Sequence, residues 1–381
     1  MKIVLAPDSF KESLTAAQVC QAMKRGILQV TQTAKIVSIP MADGGDGTMD
    51  ALVSATGGQK ITVKVTEPLG QIVPAQFGLL PDGKTAVIEM AQASGINYVA
   101  PNRRLPETIL QASTFGTGEL IKAALDQGAQ KLIIGLGGSA TNDGGAGMAQ
   151  ALGVTFLNSD NHKIESKIGG GDLSKIAHLK INKLDPRLQK TQIILASDVT
   201  SPLVGHNGAS YVFGPQKGAD EKTVKKLDNN LQHYADIIAA DLGKQVATLP
   251  GSGAAGGLGA GLLAFTNAKL EPGFSIIAKE VKLAEKLQDA DLVLTGEGST
   301  DGQTKFGKTP FGVAKLAKQQ HTPVISLAGS LGPGYETLYP AGFTSFFSIV
   351  NGPNSLTQAL QAASENIERT TANIMRLWLA K

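Results

Sequence analysis

The chain has 381 residues, 42% of them hydrophobic and 18% charged, with a formal net charge of +3. This composition excludes a largely disordered chain, and the small charge, with no dense Lys/Arg stripe among aromatics, excludes a nucleic-acid partner. The single cysteine, Cys20, excludes an internal disulfide and a cysteine-built zinc site. The N-terminal apolar run stops at Asp8, too short for a signal peptide. No stretch approaches the ~20 apolar residues of a membrane helix. The expectation is a soluble, cytoplasmic protein without a membrane partner.

Residues 3–6 form a short apolar run, the mark of a buried strand. Residues 15–28 follow with Ala16, Val19, Cys20, Met23 and Ile27 at helical spacing, which makes Cys20 a core position. Ser13 or Thr15 can cap that helix. Residues 36–39 read as a second strand and 48–55 as a helix. The pattern then changes to a meander of strands at 61–66, 72–79 and 85–89, with turn signals at Pro68-Leu69-Gly70 and Pro81-Asp82-Gly83. Later strands are predicted at 131–135, 154–157, 192–196, 292–295, 324–327 and 343–349. Helices are predicted at 118–127, 220–240, 274–287, 311–319 and 356–379.

This alternation predicts an α/β fold of two domains with mostly parallel sheets. The pattern changes near Ile61, and strong alternation returns after Ala290. The first domain is therefore placed at residues 1–60 and 286–381. The second, 61–285, is inserted into it, and the active site is expected in the cleft between them.

Six segments join glycine to small polar or acidic residues after a strand or at a helix start, where parallel sheets bind ligands. Asp8, Ser9 and Lys11 place an acid, a hydroxyl and a cation together after the first strand. Asp43 and Asp46, three residues apart among Gly44, Gly45 and Gly47, suit general-base work or Mg²⁺ binding. Thr114 to Glu119 opens a helix. Gly135 to Gly147 crowds six glycines around Ser139, Thr141, Asn142 and Asp143, more flexibility than a structural loop requires. Ser197 and Asp198 end a strand, and Phe213 to Gly218 follows soon after. The sixth segment runs from Leu294 to Pro310 and carries Glu297, Asp301 and Lys308.

Two motif matches fall in these segments. Residues 302–309 fit the Walker A pattern, but the predicted strand ends near Thr295, six residues before Gly302, so the loop does not leave the strand directly. Residues 135–140 fit a dinucleotide fingerprint, but Asn142-Asp143-Gly144-Gly145 is a turn signal that delays the helix the fingerprint needs. The five histidines lie outside all six segments. Their absence favours chemistry done by carboxylates, lysine, hydroxyls and Mg²⁺, of which phosphoryl transfer is an example.

In this order, Ala-Pro-Asp-Ser-Phe-Lys-Glu-Ser from Ala6, Ala-Asp-Gly-Gly-Asp-Gly-Thr from Ala42 and Gly-Leu-Gly-Gly-Ser-Ala-Thr-Asn-Asp-Gly-Gly from Gly135 resemble type 1 glycerate kinase. So do Ser-Asp-Val-Thr-Ser-Pro-Leu from Ser197, Phe-Gly-Pro-Gln-Lys-Gly from Phe213 and Thr-Gly-Glu-Gly from Thr295. The resemblance spans essentially the whole chain. It implies ATP- and Mg²⁺-dependent phosphorylation of D-glycerate in a two-domain α/β fold, with 2-phosphoglycerate the favoured product.

On that basis Lys11 and Ser9, with Asp8 and Ser197, are expected to hold the substrate, and Asp43 or Asp46 to accept or orient the hydroxyl proton beside Lys11. Gly137, Gly138, Ser139, Thr141 and Asn142 are expected to cradle phosphates, with Lys308 as a further phosphate contact. Asp198, Glu297 or Asp301 is expected to bind Mg²⁺, directly or through water. The rival reading is an NAD-dependent oxidoreductase acting on a small hydroxy acid.

Overall fold

Short aliphatic and β-branched runs build thirteen strands among the described residues of the computed structural model, 1–380. In chain order they are β1 (Lys2–Leu5), β2 (Lys35–Ser38), β3 (Gln59–Thr66), β4 (Ile72–Leu79), β5 (Thr85–Glu89), β6 (Lys131–Gly135) and β7 (Thr155–Leu157). There follow β8 (His178–Lys180), β9 (Gln192–Ala196), β10 (Lys269–Glu271), β11 (Leu292–Thr300), β12 (Val324–Leu331) and β13 (Phe343–Ser348). The chain divides into two units, Met1–Gly58 with the segment from Pro272 onward, and Gln59–Glu271. Residues 272–285, predicted to belong to the inserted domain, lie in the first unit.

The first unit holds a five-stranded sheet, β13-β12-β11-β1-β2, with every pairing parallel. Ile3, Val4 and Leu5 are all fully buried, so β1 is covered on both faces. One face packs on the helix Ala16–Leu28, through Val19, Met23 and Ile27, and on the helix Ala363–Leu379, through Ile367 and Met375. Thr15 caps the first of these helices. Its hydroxyl accepts the Gln18 N–H while the Gln18 side chain accepts the Thr15 N–H.

The second unit holds a six-stranded sheet, β10-β9-β6-β5-β4-β3. Strands β10, β9, β6 and β5 are parallel, and β4 and β3 add the predicted meander as an antiparallel edge. A separate pair, β7 and β8, is antiparallel.

Departures from the sequence reading include three among the helices. The helix predicted over 274–287 breaks at Lys282, whose φ is 53°, into Gly273–Glu280 and Leu283–Leu287. The helix predicted over 356–379 breaks at Ala362 into Leu356–Gln361 and Ala363–Leu379. The helix Ala254–Phe265 was not predicted, because its glycine and alanine positions carry no apolar period.

Within this last helix the backbone turns left-handed at Ala255, Gly256 and Gly257. A Cβ on Gly256 would lie 1.9 Å from the Thr141 carbonyl oxygen. The two glycine-rich segments thus touch backbone to backbone. Gly256→Ala meets both a left-handed φ and this clash. It is expected to destabilise the protein by about 2–4 kcal/mol, read as a lower urea midpoint.

Candidate active site

In the first unit the chain leaves β1 for β2 on one side and later enters β11 on the other. The carboxyl ends of β1 and β11 therefore form the switch point at which open α/β sheets bind ligands. Asp8 stands there. Its N–H donates to the Gly296 carbonyl at 2.9 Å, and its Oδ1 accepts the Ser9 N–H at 2.7 Å. Burial, and then the negative charge of Asp43, push the Asp8 carboxyl up to about 7.

Asp43 is held from two directions. Its Oδ1 accepts the Gly45 N–H at 3.1 Å, in a turn whose Gly44 and Gly47 have φ of 93° and 90°. Its carbonyl lies where a Cβ on Gly273 would approach to 1.8 Å, so only glycine lets the start of that helix press on the turn. Asp8, Ser9, Lys11, Asp43, Glu297 and Lys308 line one cavity of 620 Å³. Asp46 lines a separate 60 Å³ crevice with Asp8 and Ser9 and is itself exposed.

Glu297 is 6% exposed and fully engaged. Its Oε1 accepts the hydroxyls of Thr300 at 3.1 Å and Thr304 at 2.7 Å, and its Oε2 pairs with Lys308 Nζ at 2.9 Å. Burial raises its carboxyl against the pull of these partners. Asp301 Oδ1 accepts the Gln303 N–H at 2.8 Å, closing a turn. The residues expected to bind Mg²⁺ therefore do not fit a protein-built cage. Glu297 already has a lysine at its second oxygen. Among the described residues no three His, Cys, Asp or Glu side chains gather in a metal-binding cluster.

The Walker A match needs a correction. Strand β11 runs to Thr300, not Thr295, so Gly302 does follow the strand closely and the helix Thr309–Lys318 follows Lys308. Three of the loop's amides are nonetheless already engaged. The N–H groups of Gln303, Thr304 and Phe306 bond within the loop, to Asp301 Oδ1, the Asp301 carbonyl and the Gln303 carbonyl. Lys308 also donates to the Ser299 carbonyl at 3.1 Å. It lines the first unit's cavity, whereas the glycine loop with which it was grouped belongs to the second unit.

In the second unit β6 runs into the loop 136–145, and the next helix, Ala146–Ala151, begins only after the turn predicted there. That delay removes the helix a dinucleotide fingerprint requires. Asp143, fully buried, fastens the loop. Its carboxylate accepts the Thr114 N–H at 2.8 Å, the Thr114 hydroxyl at 2.7 Å, and the N–H groups of Gly145 and Gly147 at 3.2 Å. Burial raises its carboxyl against these donors. The third and fourth segments are thereby joined.

Gly137, Gly138 and Ser139 line a cavity of 360 Å³ with Arg104, Phe213 and Lys217. Lys217 is 3% exposed, and its Nζ donates to Ser139 Oγ and to the Thr141 carbonyl, each at 2.7 Å. Asn142 Nδ2 donates to Ser210 Oγ at 2.8 Å, while Asn142 Oδ1 and Thr141 Oγ1 are buried without a protein partner. Ser197 Oγ accepts the Val199 N–H at 3.2 Å, which turns Val199 into the cavity wall.

Sequence reasoning missed Arg104, Lys217 and the role of Asp143. Lys217 lies in a quoted segment, and the signal was its place between Gly214 and Gly218. The latter has φ of 105° and packs on the Arg104 backbone, where a Cβ would approach to 2.3 Å.

A family model described as the glycerate kinase family matches residues 3–379. A glycerate kinase of Halalkalibacterium halodurans is 51% identical over 372 residues, covering 98% of this chain and 97% of that one. A glycerate 2-kinase of Escherichia coli K12 is 48% identical over 374 residues, covering 98% of this chain and 97% of its own. A crystal structure of a protein assigned as glycerate kinase 2 from Salmonella typhimurium LT2 superposes with a TM-score of 0.90 at 47% identity. It covers 100% of this chain and 98% of the other.

Proposed function

The chain belongs to the glycerate kinase family, and from that premise we propose that it transfers the γ-phosphoryl group of ATP to the 2-hydroxyl of D-glycerate, releasing ADP and 2-phosphoglycerate. The observation that carries the chemical part is the Asp8–Asp43 pair at the β1/β11 switch point. A carboxylate poised near neutrality accepts the proton that the attacking hydroxyl loses and orients that hydroxyl for in-line attack. Asp8 has that poise, because burial and Asp43 both oppose its charge. In this reading Asp8 is the proton acceptor, a role assigned at first to Asp43 or Asp46, and Asp43 sets its affinity for the proton. Lys11 and Ser9 offer the carboxylate of glycerate a cation and a hydroxyl in the same cavity.

The phosphates lie on the 137–142 loop in this proposal. Support comes from the cavity that Gly137, Gly138 and Ser139 line with two cationic side chains. Mg²⁺ enters as the counter-ion of the triphosphate, which suits an ion that keeps its waters and takes few protein ligands. A cytoplasmic site belongs to the same proposal. Among the described residues no helix is long and apolar enough to cross a membrane. The free Cys20 is buried, with its thiol pushed up to about 12 by that burial.

The test is ADP release with D-glycerate, ATP and Mg²⁺, followed by enolase without phosphoglycerate mutase. Enolase consumes 2-phosphoglycerate directly, so a rise in phosphoenolpyruvate absorbance is expected. A product that needs the mutase first would overturn the regiochemistry. Reduction of a nicotinamide cofactor in place of ADP release would favour the oxidoreductase.

A further inference from the structure

The wall of the second unit's cavity contains a buried amine, Lys217, whose protonation the transfer chemistry above leaves unassigned. Lys217 is buried in a loop whose left-handed Gly218 presses it inward against the 137–142 segment. Its Nζ holds Ser139 Oγ and the Thr141 carbonyl at 2.7 Å each. A protonated amine has three donors, so one remains for an occupant of the cavity that Lys217 lines. Arg104 lines the same cavity, and so do Gly137 and Gly138. Two cationic side chains and a glycine loop around 360 Å³ are a receptor for an oxyanion.

We propose that an oxyanion occupies this cavity with Lys217 as its counter-charge, and that filling the cavity loads a proton onto the Lys217 amine. The inference deepens the proposed function and rests on its placement of an anionic substrate group here. The oxyanion is a phosphate of the nucleotide or the carboxylate of glycerate, two sources of one chemistry.

The charge balance supports the coupling. Burial disfavours the ammonium and lowers Lys217 to about 7, with the negative charge of Asp143 acting in the opposite sense. Arg104 faces the same space and adds a like charge. An oxyanion within ~4–6 Å favours the charged amine and raises its proton affinity. Below pH 7 the amine already carries its proton, and binding takes up none. Above pH 7 each binding event draws up to one proton from solvent, and affinity falls by up to about tenfold per pH unit. Binding is then tightest on the acid side. A purely structural lysine, tying two loop segments together, gives no such dependence.

The test is calorimetric titration of the full chain with ADP and, separately, with D-glycerate. Each titration is run at pH 6 and pH 8.5 in two buffers of different ionisation enthalpy. For one ligand, uptake near zero is expected at pH 6 and approaching one proton at pH 8.5. The ligand whose uptake depends on Lys217 is the occupant. Lys217→Met is expected to abolish the uptake and weaken that ligand at least about tenfold at pH 6. Arg104→Gln is expected to weaken the same ligand while keeping the uptake.

Absence of uptake with both ligands in the unsubstituted protein would overturn the proposal. So would uptake that persists in a folded Lys217→Met variant. If that variant does not fold, the unsubstituted protein and Arg104→Gln decide by themselves. Uptake in a protein that fails to phosphorylate glycerate would sink the proposed reaction and leave this site standing. Normal turnover without uptake would do the reverse.

Discussion

Asp8→Asn and Asp43→Asn are each expected to lower kcat at least ~10²-fold, and Asp46→Asn to stay within about tenfold of the unsubstituted enzyme. The three acids lie close in sequence and differ in where they face. Asp8 and Asp43 line the 620 Å³ cavity together, whereas Asp46 lines only the smaller crevice and is exposed. Turnover should rise with pH through about 7, as the buried Asp8 carboxyl loses its proton. Asp43→Asn removes a negative charge that raises Asp8, so the acid limb of its residual activity should move to lower pH. Equal losses in all three variants would sink the assignment. So would a pH profile that Asp43→Asn does not move.

The same carboxyl has a stability consequence of opposite sign. Folding raises Asp8 from 3.8 to about 7. The folded state therefore holds that proton more tightly than the unfolded chain. The stabilisation is present below pH ~4 and is lost as pH rises through ~7. Asparagine carries no charge to bury, so at pH 8 Asp8→Asn should melt a few degrees above the unsubstituted protein while being nearly inactive. A variant that loses activity and gains thermal stability marks a group kept ionisable for chemistry rather than for the fold. A lower melting temperature at pH 8 would count against the buried charge.

What the sequence disclosed follows the range of the interactions that carry it. The cap at Thr15, one of the two residues offered for it, the helix it opens and the strands β4, β5, β6 and β9 are set by neighbours within a few residues, and their bounds match the local pattern. The switch point depends on β1 pairing with β11, nearly three hundred residues later, and no local pattern encodes that pairing. Glu297 shows the same limit in a side chain. An acid in a glycine-rich loop after a strand reads as a metal ligand, and only the folded loop brings Thr300, Thr304 and Lys308 onto it. Lys217 sat in a recognised segment, but its burial comes from Gly218 packing on Arg104, a contact across more than a hundred residues. The helix Ala254–Phe265 was hidden for another reason. Its backbone must pass next to Thr141 and Gly144, so glycine and alanine replace the larger apolar residues that would have shown a period.

Asp143→Ala is expected to lower the stability of the protein by about 3–5 kcal/mol, the range for removing one partner from a buried charge network. Four donors converge on this carboxylate: the Thr114 N–H, its hydroxyl, and the N–H groups of Gly145 and Gly147. Alanine leaves them facing a small void that supplies no acceptor. Each buried donor left unsatisfied costs about 1–3 kcal/mol before any relaxation. The Thr114 hydroxyl also accepts the Met148 N–H at 2.9 Å, so its reorientation disturbs the first turn of the next helix. Asp143→Asn keeps one oxygen as acceptor and brings an amide that cannot accept, so an intermediate loss is expected. Both losses should appear as a shift of the urea midpoint. Because Asp143 belongs to this loop and ties it to Thr114, its loss should also loosen Gly137 to Asn142, and a folded Asp143→Asn should bind phosphate-bearing ligand more weakly. A variant as stable as the unsubstituted protein would mean that water or a shifted loop satisfies those donors. In that case the loop's shape would rest on the backbone contact between Gly256 and Thr141 instead.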